Sequence, residues 1–149
     1  MLRRNAGFSL TELMVIIAII GILSGIAVPG FVGWLPKYRM GGAARDVRGI
    51  LEHARLTAVK TGSDVVVDLD FANETVRTSV GGNTVRRVRM AAGIDLKNVD
   101  LGAQFRFNNQ GMPVFADGIP RSLSVAVSNG GRHPDKLIHV SAGGTVRIQ

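Results

Sequence analysis

From Phe8 to Val28 the sequence is apolar almost without interruption, and the one charged residue in the run is Glu12. A run of this length matches the roughly 20 residues an α-helix needs to cross a hydrocarbon core. It predicts a membrane-spanning helix and leaves the remainder of the chain to form whatever core there is. The carboxylate is the anomaly, because an acid inside lipid costs roughly 2.5–3.5 kcal/mol on insertion scales and ordinarily marks function. The order of segments is also unusual. Basic Arg3 and Arg4 come first, then Asn5-Ala6-Gly7, and only then the apolar run. A secretory signal carries its small-residue cut behind the apolar core. Here a cut behind Gly7 would remove the basic leader and keep the anchor. Charge bias leaves the orientation open, since Arg3 and Arg4 precede the span while Lys37, Arg39 and Arg45 follow it.

Beyond the span about 120 residues remain, enough for one modest core. The chain has 149 residues, a formal net charge of +7 and no Cys. Disulfide frameworks and thiolate metal sites are therefore excluded. The basic balance favours anionic partners without bearing on the fold.

A helical period resumes after the span. Val47, Ile50, Leu51, Ala54 and Ala58 fall on one stripe, with Arg45, Arg48, Glu52 and Arg55 off it. Arg48 and Glu52 are spaced for one ion pair, Glu52 and Arg55 for another. Thr61-Gly62 reads as the stop. We expect one helix, or two nearly continuous ones, from Phe8 to about residue 60, with Pro29 kinking or loosening it. After Gly62 the period changes to two. Strands are expected over 64–71, 75–80, 84–90, 103–108, 122–128, 136–142 and 145–149. Gly81-Gly82-Asn83 is a hairpin signal between the second and third. The fold class is α+β: a long N-terminal helix whose second half packs on an antiparallel sheet domain.

Catalytic equipment is sparse. His53, His133 and His139 lack the spacing of a zinc site. Ser124 and Ser128 have no base at a recognisable offset. Asp68 and Asp70 share one side of a strand, where a solvated face outweighs a cation site. Asn73-Glu74-Thr75 matches a glycosylation triplet by chance. We expect no enzyme, no metal and no cofactor.

The stretch Gly7-Phe8-Ser9-Leu10-Thr11-Glu12-Leu13 resembles the class III signal of type IV pilins and type II secretion pseudopilins. Further on, "ARDVRGILEHARLTAVKTGSDV", "FRFNNQGMP" and "GGTVRIQ" resemble the GspH/FimT group of minor pilins and pseudopilins. The resemblance implies cleavage by prepilin peptidase between Gly7 and Phe8, and N-methylation of Phe8. It implies a division into a leader (1–7), a transmembrane and assembly helix (8–29) and a periplasmic pilin domain (30–149) held at the inner membrane. Partners would be other pilins or pseudopilins, the peptidase and the inner-membrane assembly platform. The function implied is filament assembly, at or near the tip of a secretion pseudopilus or a type IV pilus.

Within that frame Glu12 has two readings. It pairs with the free amine of a neighbouring Phe8 and fixes the stagger of parallel helices, or it snorkels to the interface. Gly21 and Gly25 form a small-xxx-small spacing suited to close helix approach, and together with Pro29 they complete the expected assembly residues. The alternative function is that of a DNA-binding minor pilin acting in natural transformation. Its candidate contacts are Arg132, Lys136, Arg147, Arg87 and Arg89. Members of the group that bind DNA use a C-terminal Gly-Arg-x-Arg. The matching residues here are Gly144-Thr145-Val146-Arg147, with Thr145 in place of one arginine. A merely solvated basic surface outweighs that alternative.

Overall fold

In the computed structural model, residues 8–98, 104–131 and 133–149 are described, residues 29–33 and 98 by their backbone alone. The one helix among the described residues, α1 (Leu10–Thr61), begins where Ser9 accepts a hydrogen bond from the Glu12 amide at 3.2 Å. Ser9-Leu10-Thr11-Glu12 is thus a capping-box sequence, with the acid in the first turn where the positive end of the helix dipole favours it. The backbone stays α-helical through Pro29, so the expected loosening does not break the helix. Gly62, with φ +64°, ends it as expected.

The chain divides into two compact units, Met1–Leu35 and Pro36–Gln149. In the first, the described side chains from Phe8 to Val28 are all exposed. In the second, the predicted stripe is fully withdrawn from solvent: Val47, Ile50, Leu51, Ala54 and Ala58 are each 0% exposed. Met40, Ala43 and Ala44 extend it toward the N-terminus. Arg48 pairs with Glu52 at 2.8 Å. The second expected pair is not formed, because the Glu52 carboxylate turns to Arg48 and leaves Arg55 aside.

All seven expected strands are present, and two short ones join them. The strands are β1 (Val65–Asp70), β2 (Thr75–Val80), β3 (Asn83–Arg89), β4 (Asp95–Asn98), β5 (Gln104–Phe107), β6 (Pro113–Val114), β7 (Leu123–Ser128), β8 (Lys136–Val140) and β9 (Val146–Ile148). They form two antiparallel sheets, in the orders β3-β2-β1-β5-β6 and β4-β7-β8-β9. The β2–β3 hairpin turns through Gly81 and Gly82, both at positive φ (55° and 85°), the pair of conformations a type I′ turn requires. One face of each sheet joins the helix stripe in a single core, with Phe107, Val65, Val67, Val76, Val127, Ile138 and Val140 among its most buried members.

Two tight turns tie the sheets to the helix. Asn108 closes the β5–β6 turn, its Oδ1 accepting from the amides of Gln110 (3.1 Å) and Met112 (2.9 Å). Ser141 closes the β8–β9 turn, its Oγ accepting from the Thr145 amide at 3.0 Å. The turns meet at two glycines: a Cβ on Gly144 would lie 1.9 Å from the Gly111 carbonyl oxygen. A Cβ on Gly111 would lie 2.9 Å from Val59 and 3.1 Å from Arg55 on the helix. A second tie runs through Glu74, a non-glycine residue at φ 52°. Its carboxylate accepts from the Leu96 amide of β4 at 2.5 Å, and its carbonyl from the Met90 amide at 2.8 Å.

Candidate assembly segment and basic surfaces

An acid at the third helical position is favoured by the positive end of the helix dipole, and the same position puts Glu12 four residues from Phe8. Gly21 and Gly25 have nothing within 4 Å of where a Cβ would stand. Among the described residues no contact requires glycine there, and both positions are open to another helix. The segment Leu10–Val28 is long and apolar enough to cross a membrane, and none of its residues is buried among the described residues. Gly7, and with it the expected cleavage junction and the leader, lies outside the described residues, as does Arg132.

The described candidates for a basic surface do not form one group. Arg87 and Arg89 lie on β3, at the edge of the first sheet, whereas Lys136 and Arg147 lie on β8 and β9 of the second. Within that second sheet the register separates them again. Lys136 takes the side shared by Ile138 and Val140, and Arg147 stands beside His139 on the other. Arg86, opposite Thr78, sits on the core side of β3 but beyond the edge of the buried surface.

The two strand carboxylates are both engaged. Asp68 pairs with Arg77 across the strands at 2.5 Å. Asp70 closes the β1–β2 turn, accepting from the Asn73 side-chain amide (2.7 Å) and from the Asn73 and Ala72 main-chain amides (2.9 and 3.1 Å). The Asn73 hydrogen bonds, side chain first, lower the pKa of Asp70 below its ordinary 3.8. Among the described residues no cluster of His, Asp and Glu can hold a metal ion.

One pairing was hidden from the sequence. Ser124 and His139 face each other across β7 and β8, with Oγ 3.1 Å from Nδ1. The next residue in that row is Arg147, a cation rather than the acid that would orient a general base. A serine and a histidine alone do not make a nucleophile, and the pair is a cross-strand hydrogen bond.

Comparison with known proteins agrees with this architecture. Residues 2–28 match the prokaryotic N-terminal methylation motif, and residues 43–144 match the type II transport protein GspH. The type IV major pilin protein PilA of Myxococcus xanthus is 35% identical over 119 residues, covering 78% of this chain and 48% of the relative. The chain thus spans about half the length of that pilin. The type II secretion system core protein G of Aeromonas hydrophila is 30% identical over 94 residues, covering 58% of this chain and 66% of the relative. Among solved structures, the type IV minor pilin FimU of Pseudomonas aeruginosa superposes with a TM-score of 0.66 at 16% identity, covering 76% of this chain and 90% of that one. The minor pseudopilin EpsH of the Vibrio cholerae type 2 secretion system gives 0.57 at 13%, covering 74% and 96%. These last two likenesses establish the shared fold, and the match over residues 43–144 establishes the lineage: the chain belongs to the type II transport protein GspH family, within the type IV pilin and pseudopilin superfamily.

Proposed function

We propose that the chain is a minor pilin or pseudopilin subunit, matured by prepilin peptidase between Gly7 and Phe8 and drawn from the inner membrane into a filament. The observation that carries this reading is the N-terminal helix segment. An exposed apolar stretch with an acid in its first turn and two unobstructed glycines is unburied among the described residues. Such a segment is stable in lipid or against other helices of the same kind. The match of residues 2–28 to the methylation motif supports the processing step. In this reading Phe8 carries the methylated amine, Glu12 meets the amine of a neighbouring subunit, and Gly21 and Gly25 permit close helix packing. The pilin domain faces the periplasm. The other subunits and the inner-membrane assembly platform are the partners.

The test is intact-mass analysis of the protein from its native membrane, together with crosslinking to other pilin subunits on the same samples. The expected product begins at Phe8 with one added methyl group and crosslinks to other pilins. A chain still beginning at Met1 in the presence of active peptidase overturns the reading. The DNA-receptor alternative gains no support from the separated placement of Arg87, Arg89, Lys136 and Arg147.

A further inference from the structure

The open edge of β3 combines two features that a bare charged surface lacks. Among the described residues β3 is the last strand of its sheet and is hydrogen-bonded on one side only, to β2. Because the Met90 amide donates to the Glu74 carbonyl, residues 74 and 90 are a hydrogen-bonded pair. The pairs two and four residues back, Val76 with Val88 and Thr78 with Arg86, are then hydrogen-bonded as well. The intervening residues, Arg87 and Arg89, direct their main-chain N–H and C=O groups away from β2 to the free edge. Their side chains stand on the outward face of the sheet, in an open hollow of about 350 Å³ shared with Asp68, Asp70, Asn73, Thr75 and Arg77. The acids in that hollow are engaged, Asp68 by Arg77 and Asp70 by the turn at Asn73. Among the described residues neither Arg87 nor Arg89 has an ionic or hydrogen-bonded side-chain partner. Each therefore offers a free guanidinium and a free main-chain donor and acceptor side by side.

We propose that this edge is a docking site for an extended acidic segment of another protein, added antiparallel to β3 with carboxylates at alternate positions opposite Arg87 and Arg89. In such a pairing the residues opposite Arg87 and Arg89 form hydrogen-bonded pairs with them, and their side chains share the guanidinium face. Arginine accepts a carboxylate in two parallel hydrogen bonds, so charge and geometry select the same register. The main-chain groups argue for a peptide over a nucleic acid, which would use the guanidinia and ignore the edge. The same arginines, with the bulge that leaves Val85 without a partner, guard the edge against ordinary strands. A strand bearing acids is the kind those charges attract. The proposal concerns the second compact unit and does not depend on filament entry.

The experiment titrates the full chain, in a neutral detergent, against a fluorescent peptide of alternating glutamate and threonine. Saturable binding is expected. Combining Arg87→Ser with Arg89→Ser should weaken it by at least about tenfold. N-methylation of the glutamate amides, which face β3, should weaken it as much, whereas N-methylation of the threonine amides, which face away, should leave it unchanged. A peptide methylated at glutamate that binds like its parent reduces the site to charge alone and overturns the proposal. So does a short DNA duplex that binds more tightly than the peptide through the same arginines. Absence of saturable binding leaves the arginines as edge guards only, and equally overturns it.

Discussion

Glu12 has two reasons to be where it is, and substitutions separate them. It stands at the position of Ser9-Leu10-Thr11-Glu12 where glutamate or glutamine suits the start of α1, and Ser9 accepts a hydrogen bond from its main-chain amide. As a charge it supplies the proposed partner for a neighbouring amine. Glu12→Gln keeps the first role, which accepts either residue, and removes the second. We expect normal insertion and normal cleavage with crosslinking to other pilins lost. Ser9→Ala should do the reverse, weakening the helix start by about 1 kcal/mol while assembly persists. Crosslinking and cleavage read from one membrane preparation decide between them, and a Gln variant that assembles normally leaves Glu12 as a snorkelling acid. Gly144 is a second residue fixed by its surroundings. Gly144→Ala combines an unfavourable φ of +84° with a Cβ thrust at the Gly111 carbonyl, and should cost about 3 kcal/mol in urea unfolding. Gly130→Ala, with φ +72° and open space around it, should cost about 1–2 kcal/mol. Asp70 adds a pH dependence. Its pKa is lowered in the fold, so its contribution is complete above the ordinary value of 3.8 and is lost as pH falls through the lowered one. Its carboxyl resonance should titrate with a midpoint below 3.8.

At the scale of the element, α1 shows how one helix serves two environments. Up to Val28 its described side chains are exposed and, Thr11, Glu12 and Ser24 apart, apolar or glycine, suited to lipid; from Met40 onward the buried apolar positions narrow to a stripe against the sheets. The prediction that belongs here compares two leucines five residues apart on the helix, one on the buried face and one off it. Leu51, 0% exposed, joins the core, and Leu51→Ala should destabilise the pilin domain by about 2–5 kcal/mol. Leu56, 67% exposed, touches little, and Leu56→Ala should stay within about 0.5 kcal/mol of the parent. Equal losses in urea titrations would mean that the stripe is misplaced.

For the whole molecule the question is whether the second unit stands without the first. Every residue of the core cluster, from Met40 to Val146, lies within Pro36–Gln149. A chain starting at Pro36 should therefore be soluble and monomeric, with a circular dichroism spectrum of mixed helix and strand. The full chain should need detergent, because Phe8–Val28 stays exposed among the described residues. An insoluble or unfolded fragment would show that the span contributes to the core.

Local pattern determined much of this protein. The length of the apolar run announced the span, the three-to-four spacing of Val47, Ile50, Leu51, Ala54 and Ala58 announced the buried face, and Gly81-Gly82 announced the hairpin. Each is a property of neighbours along the chain, so periodicity and turn chemistry sufficed. The Ser9–Glu12 capping box was legible too, as serine followed three residues later by glutamate, but its apolar setting drew attention to the charge instead. Tertiary structure alone divided the strands between two sheets and formed the two-residue β6, which is too short to leave a period. It also set Ser124 against His139, laid Gly144 on Gly111, and put Arg87 and Arg89, Lys136, and Arg147 on separate sheets or faces. Those outcomes depend on which strand pairs with which and in what register. That choice is made by burial across residues distant in sequence, where a shift of one position would exchange the two faces of a strand.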